Sequence, residues 1–205
     1  MGTLVAFTGA GISRQSGIPT FNEMEGIRDK LTREYFNNNP KDFYDVLKMF
    51  KRKSEQAQPN RAHLALAEYG VDVVTMNIDG LHKRAGSKNV IEVHGNMDIV
   101  LCTNCNVEYD FRVIFDSIYC TKCKEVLQPN VVLYGDLIAR YFDAINVIGK
   151  ADTLLVVGTS FYTSTAGDFV GRAKMAGIKV VTINDDAEKN VPRFVEEYFR
   201  DNSSE

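Results

Sequence analysis

Short, fully apolar runs alternate with stretches of helical spacing along most of this chain. Leu4–Phe7 is the first such run, and the segment Thr8–Ser13 (Thr-Gly-Ala-Gly-Ile-Ser) ends it; together they predict a buried strand, a Gly-rich turn and a helix. Strand-like runs recur at Val71–Thr75, Val90–Val93, Val131–Tyr134, Leu154–Val157 and Val180–Ile183. Helical patterns over Leu137–Ile148, Ala166–Ala176 and Val191–Phe199 alternate with several of them. Apolar strands alternating with helices predict an α/β fold, its mostly parallel sheet covered on both faces.

Two stretches break the alternation. From about 22 to 58 the chain is rich in Lys, Glu, Asn and Phe. There Leu31, Tyr35 and Phe36, then Phe43, Val46, Leu47 and Phe50, mark two amphipathic helices separated by Asn37–Pro40. A further helix, Arg61–Tyr69, is opened by Pro59 and Asn60. The second stretch carries all four cysteines and is turn-rich, which reads as an inserted module. Residues 201–205 read as a frayed polar tail.

With 205 residues and 44% hydrophobic content, the chain can bury one sizeable core and a small satellite. A formal net charge of −3 gives no reason to expect a nucleic-acid-binding surface. No apolar run approaches the roughly 18 residues of a membrane span. The N-terminus enters a strand pattern without a basic region or cleavage site, so no secretory signal is expected and a cytoplasmic location is. In that compartment paired Cys-x-x-Cys motifs favour metal over disulfides.

Candidate chemistry collects at the predicted strand ends. Gly9, Ala10 and Gly11 after a strand suit phosphate binding, with Ser13 a donor to ribose or phosphate, although a plain tight turn has the same appearance. Asn77, Asp79 and His82 follow Val71–Thr75, and His94-Gly95 closes the next run, leaving a ring face open to a substrate. His94 suits a general base or a structural role, His82 could be either, and His63 fits a structural hydrogen-bonding role at a helix start. Gly158, Thr159 and Ser160 follow Leu154–Val157, and Asn184 follows Val180–Ile183; both groups could hold ribose or phosphate. Cys102 with Cys105, and Cys120 with Cys123, form two knuckles able to close a tetrahedral, structural zinc site with no open position.

Taken together, these segments resemble the sirtuins, the NAD-dependent protein deacylases, from about Leu4 to Asn184. The ordered landmarks are Gly9–Ser13, Ser16–Phe21, Pro59–His63, Asn77–His82, His94-Gly95, the four cysteines, Pro129–Gly135, Gly158–Ser160 and Ile183-Asn184. The resemblance implies a Rossmann-like, doubly wound parallel sheet with a helical module and a small zinc-binding module inserted. Residues 1–21, 59–100 and 128–200 would form the discontinuous NAD-binding domain, 22–58 the helical module and 101–127 the zinc module. It also implies that Gly9, Ala10, Gly11 and Ser13 line the phosphate and ribose end and that Phe21 covers the reactive sugar carbon. Asn77, Ile78 and Asp79 would meet the nicotinamide, and Gly158, Thr159, Ser160 and Asn184 the adenosine half. Val131, Val132, Leu133, Tyr134 and Gly135 would pair with an extended acyl-lysine peptide. NAD would be a co-substrate and His94 the base, so activity should fall as His94 protonates. The products would be nicotinamide, free lysine and O-acyl-ADP-ribose.

Four positions depart from the pattern. Asn22 stands where many members carry Arg, removing a guanidinium from the cofactor phosphates, and Met76 stands where many carry Gln. Thr20 is a mild change, and Tyr134 adds a hydroxyl where Phe is common. No clear Tyr-x-x-Arg pair of the kind that selects acidic acyl groups follows Phe21. The rival expectations are an ADP-ribosyltransferase or NAD-cleaving enzyme on the same scaffold, or a catalytically silent zinc-module binding protein. Neither a membrane nor a nucleic-acid partner is expected.

Overall fold

Strand periodicity divides the first apolar run between two cores. In β1 (Leu4–Thr8), Val5 and Phe7 enter one buried cluster while Leu4 and Ala6 enter another, as the two-residue period of a strand requires. The computed structural model describes residues 2–20, 23, 26–159 and 164–202. The remaining strands are β2 (Asp72–Thr75), β3 (Val90–Glu92), β4 (Gly95–Cys102), β5 (Val107–Asp110), β6 (Gln128–Val131), β7 (Thr153–Val157) and β8 (Lys179–Ile183). The helices are α1 (Ile27–Lys30), α2 (Arg33–Asn38), α3 (Pro40–Gln56), α4 (Arg61–Glu68), α5 (Leu81–Arg84), α6 (Tyr141–Ile148), α7 (Ser164–Met175) and α8 (Ala187–Asn202).

Five strands pair in parallel in the order β3-β2-β1-β7-β8. Helices α6 and α7 supply Ala144, Ile148, Phe169 and Val170 to the face that buries Phe7. On the opposite face, α4 and α8 supply Ala62, Leu66, Val191 and Val195. Each fully buried side chain of the size of Phe7 contributes roughly 1.5–3 kcal/mol relative to exposure. The doubly wound sheet expected from the alternation is therefore present. Its order reverses at β1, between β2 and β7, where open α/β sheets bind ligands.

The run Val131–Tyr134 does not join that sheet. Only Val131 lies in a strand, β6, which pairs antiparallel with β4, and β4 in turn pairs with β5. Val131 and Leu133 are buried, Val132 is half-buried and Tyr134 exposed. The segment is thus a wall with one solvent side, not a strand covered on both faces. Two helical expectations also shift. The Gly-rich turn leads into a 3-10 helix, Ala10–Ser16, closed by Gly17 at φ +85. The helix expected from Leu137 begins only at Tyr141, leaving Leu137 exposed ahead of it.

A third core joins α2 and α3 to the antiparallel sheet. Phe36, Phe43, Tyr44 and Leu47 pack with Val100, Phe111, Ile114 and Leu127. Phe36 and Phe43 meet edge-on at 4.9 Å, and the Tyr44 hydroxyl donates to the Leu127 carbonyl at 2.5 Å. Gly95, at φ +73, is the crossing point between the two sheets. A Cβ there would lie 2.0 Å from the Asn130 carbonyl oxygen, so only glycine permits the crossing.

Candidate active site

The chain leaves β2 through Thr75 and turns under the end of β1, burying a continuous chain of polar groups. The Thr8 hydroxyl donates to Thr75 Oγ1 at 2.8 Å, and Thr75 Oγ1 accepts the Asn77 N–H at 3.1 Å. With its one proton so used, Thr8 is the acceptor for His82 Nε2 at 2.9 Å, and the ring carries its proton on Nε2. His82 Nδ1 is buried with no hydrogen-bond partner among the described residues. Burial pushes the pKa of His82 well below 6.5, and the ring is neutral.

A second chain of bonds fixes Asp79. The Asn77 amide donates to the Gly9 carbonyl at 3.2 Å and to Ser13 Oγ at 3.1 Å. Ser13 passes its proton to Asp79 Oδ2 at 2.7 Å, while Asp79 Oδ1 accepts the Leu81 N–H at 2.9 Å. His63 Nε2 lies 3.4 Å from Ser13 Oγ, and its Nδ1 lies 3.0 Å from Asn60 Oδ1. Burial raises the Asp79 pKa, opposed by the Leu81 and Ser13 bonds. Burial lowers His63 from 6.5 to about 4. His63 also completes a capping box with Asn60 at the start of α4, and the Asn60 amide donates to the Ile12 carbonyl at 2.7 Å.

His94 sits between β3 and β4. Its carbonyl accepts the Val132 N–H at 2.9 Å, which fixes His94 against the segment Val131–Gly135. Burial lowers its pKa, opposed by a hydrogen bond to the Met76 backbone, so the ring stays neutral into mild acid. A cavity of about 620 Å³ brings together Ala10, Asn77, Ile78, Asp79, His94 and all five residues Val131–Gly135. That volume lies within the roughly 300–1,000 Å³ of small-molecule sites. The backbone of Tyr134 is already paired: its N–H donates to the Leu31 carbonyl and its carbonyl accepts the Arg33 N–H, both at 3.0 Å.

Gly9, Gly11, Ser13, Gly158, Thr159 and Asn184 lie at or just past the same strand ends but outside the described lining. Gly9 and Gly11 close on Gly158: the Gly11 N–H donates to the Gly158 carbonyl at 2.8 Å. A Cβ on Gly158, which sits at φ +63, would lie 2.2 Å from the Ile12 nitrogen. These glycines are thus required first by contact between two loops of the chain itself. The Asn184 side chain accepts the Thr159 N–H at 3.0 Å and donates to its carbonyl at 2.9 Å, linking the ends of β7 and β8. Phe21, Asn22 and Ser160 lie outside the described residues.

Ile18, Pro19, Thr20, Ser164 and Thr165 also line the cavity and had not been singled out as contacts, and Arg28 lines it as well. Ile18, Pro19 and Thr20 lie within the motif Ser16–Phe21, which could have flagged them.

The four cysteines converge as their spacing predicts. Their sulfurs all lie within 4.8 Å of one another, with Cys102–Cys123 at 3.4 Å and Cys105–Cys120 at 4.0 Å. Zinc–sulfur bonds of about 2.3 Å place tetrahedral ligands roughly 3.8 Å apart, so the four are positioned to bind a zinc ion.

The Sir2 family model matches residues 9–164. The chain belongs to the Sir2 family, the sirtuins. The NAD-dependent protein deacetylase of Sulfurisphaera tokodaii is 40% identical, over 88% of this chain and 78% of that protein. That of Bacillus anthracis is 36% identical, over 89% and 82%. A crystal structure of a Sir2 homologue with NAD superposes with a TM-score of 0.88 at 30% identity, covering 97% of this chain and 90% of that one. A Sir2 structure with an inhibitor, 2′-O-acetyl-ADP-ribose and a deacetylated peptide gives 0.83 at 30% identity, covering 98% and 94%. The sirtuin fold is thus shared across nearly the whole chain. No helix among the described residues is long and apolar enough to cross a membrane.

Proposed function

We propose that this protein is an NAD-dependent protein-lysine deacylase acting on acyl-lysine proteins or peptides in the cytoplasm, with neither a membrane nor a nucleic acid as partner. The observation that carries this reading is one cavity lined by Asn77 and Asp79, by His94 and by the wall Val131–Gly135. NAD supplies ADP-ribose as the acyl acceptor and nicotinamide as the leaving group, and one water is consumed as the acyl group leaves the lysine nitrogen. Asn77, Ile78 and Asp79 hold the nicotinamide end. Asp79 is prepared for this because Ser13 and the Leu81 N–H fix its carboxylate before any ligand arrives. Ala10 lines the cavity beside the ribose, and Gly9, Gly11 and Ser13 shape the loop behind it. Phe21 covers the reactive sugar, while Gly158, Thr159, Ser160 and Asn184 carry the adenosine half.

His94 takes a proton from the ribose hydroxyl system, for which its neutral ring is the required form. The substrate peptide runs along Val131, Val132, Leu133, Tyr134 and Gly135. Since the Tyr134 backbone is occupied, main-chain pairing uses the Val132 carbonyl and Gly135. Residues 1–21, 59–100 and 128–200 act as the NAD-binding domain, 22–58 as the helical module and 101–127 as the zinc module. Zinc, one ion per chain, has a structural role.

Mass spectrometry of the protein incubated with NAD and an acetyl-lysine peptide tests the reading. O-acetyl-ADP-ribose, nicotinamide and deacetylated peptide should form in equal amounts. ADP-ribosylated protein, or nicotinamide without peptide turnover, would favour a transferase or NAD-cleaving enzyme on this scaffold.

A further inference from the structure

Three basic side chains leave the segment Arg28–Arg33, and their environments differ. Lys30 Nζ lies 2.8 Å from Asp42, and Arg33 grips Asp136 through two nitrogens at 2.7 and 2.8 Å. Arg28 forms no ion pair among the described residues. Its Nε donates to the Tyr134 hydroxyl at 3.1 Å, and its guanidinium carbon stands 5.1 Å from the centre of the Tyr134 ring. These two contacts, made across 106 positions of chain, hold an exposed cation on the cavity rim beside Gly135. Among the described residues neither terminal nitrogen of Arg28 makes a hydrogen bond.

Neither carboxylate among the described lining residues pairs with it. Asp79 is committed to Ser13 and the Leu81 N–H, and Asp136 to Arg33 and the Leu133 N–H. Among the described residues, the proposed peptide wall therefore presents one positive charge without an ion-pair partner, anchored by Tyr134. We propose that Arg28 is a specificity-determining residue that favours substrate peptides carrying an Asp or Glu beside the acyl-lysine. This rests on the deacylase reading above and on Val131–Gly135 as the peptide wall. An exposed charge pair in water changes affinity by about two- to fivefold, and salt weakens it.

The test is a panel of acetyl-lysine peptides with Glu, Gln or Lys at each flanking position in turn, assayed for kcat/KM at low and high salt. At one or more positions Glu should exceed Gln by about two- to fivefold and exceed Lys further, with the gap closing at high salt. Arg28→Gln should bring the Glu-to-Gln ratio close to one, and Arg28→Glu should turn the preference toward Lys. A wild-type enzyme indifferent to flanking charge, or a preference that survives in Arg28→Gln, would overturn the proposal. So would an Arg28→Gln variant that raises KM for NAD equally with every peptide, which would place Arg28 at the cofactor phosphates. A preference following a carboxylate on the acyl chain would place it at the acyl end and also overturn the proposal. Failure to deacylate any peptide would instead remove the deacylase reading. Fluorescence anisotropy of the same labelled peptides reports the Glu-to-Gln ratio without turnover and decides the role of Arg28 in that case.

Discussion

β1 is buried on both faces, and its last residue, Thr8, runs directly into a network of hydroxyl, amide and imidazole groups. β4 ends at Cys102, and the chain beyond it is gathered by four sulfurs within 4.8 Å of one another. The parallel half thus reaches its shape through apolar burial and neutral buried polar groups. The antiparallel half packs Met97, Val100, Phe111, Ile114 and Leu127 against the aromatic face of α3 and gathers its far end around the four cysteines. On the proposed reading, a site between two such halves takes its nicotinamide end from the first. The segment proposed as the peptide wall spans both, since Val131 pairs with Gly95 and the Val132 N–H with the His94 carbonyl. The halves should therefore fail separately.

Removing the metal site has the largest expected effect, because apparent zinc binding energies of about 10–16 kcal/mol act directly as folding energy. Cys120→Ala should lose the single zinc, open 101–127 to proteolysis and nearly abolish activity. The parallel sheet should persist as a protease-resistant fragment. A variant that keeps full activity without zinc, or native protein holding a stoichiometric iron–sulfur cluster, would contradict this account of the module.

Gly158→Ala strikes the other half. The new Cβ would meet the Ile12 nitrogen at 2.2 Å in a left-handed backbone conformation, a cost of roughly 2–4 kcal/mol. Thermal unfolding of the parallel half should shift down while zinc content stays at one per chain. Equal destabilisation of both halves would mean that they unfold as one unit.

Acid should separate them more gently. Folded His63 takes up its proton only near pH 4, whereas the unfolded chain does so near 6.5. Between those values the unfolded state holds the extra proton. Stability from this group is complete above 6.5 and falls by roughly 3 kcal/mol as pH drops through the window. His82, also pushed down by burial, adds to the same slope. Denaturant titrations should show a flatter profile for His63→Gln than for wild type; identical profiles would show that this histidine is not the source.

The smallest effects sharpen the division within the site. Asn77→Ala and Asp79→Ala should each cost about 1–3 kcal/mol in turnover and less in NAD affinity, if Gly158, Thr159 and Asn184 anchor the other end as proposed. Calorimetry showing complete loss of NAD binding with the fold intact would reverse that assignment.

Local patterns were the legible part of this molecule. β1 and β7 are wholly apolar and buried on both faces, so their runs read directly as strands. The cysteine pairs read as a metal site because each knuckle is made by four consecutive residues. Val131–Tyr134 misled because a half-buried wall of large side chains has the same composition as a buried strand. The placement of Arg28 on Tyr134, and the His82 ring between Thr8 and the core, join residues 74 to 106 positions apart. No spacing along the chain encodes such contacts. The glycines Gly9 and Gly11 fit either room for a phosphate or a tight turn in the sequence, and their tightest neighbour is Gly158, just past the end of β7.

Replacement of His94 tests the central claim most directly, since this residue joins the two halves and is assigned the proton transfer. Wild type and His94→Ala are compared for NAD binding by calorimetry and for O-acetyl-ADP-ribose formation from an acetyl-lysine peptide by mass spectrometry. The account predicts NAD affinity close to wild type, with product formation reduced by about 100-fold or more. Product formation by His94→Ala near the wild-type rate would contradict it.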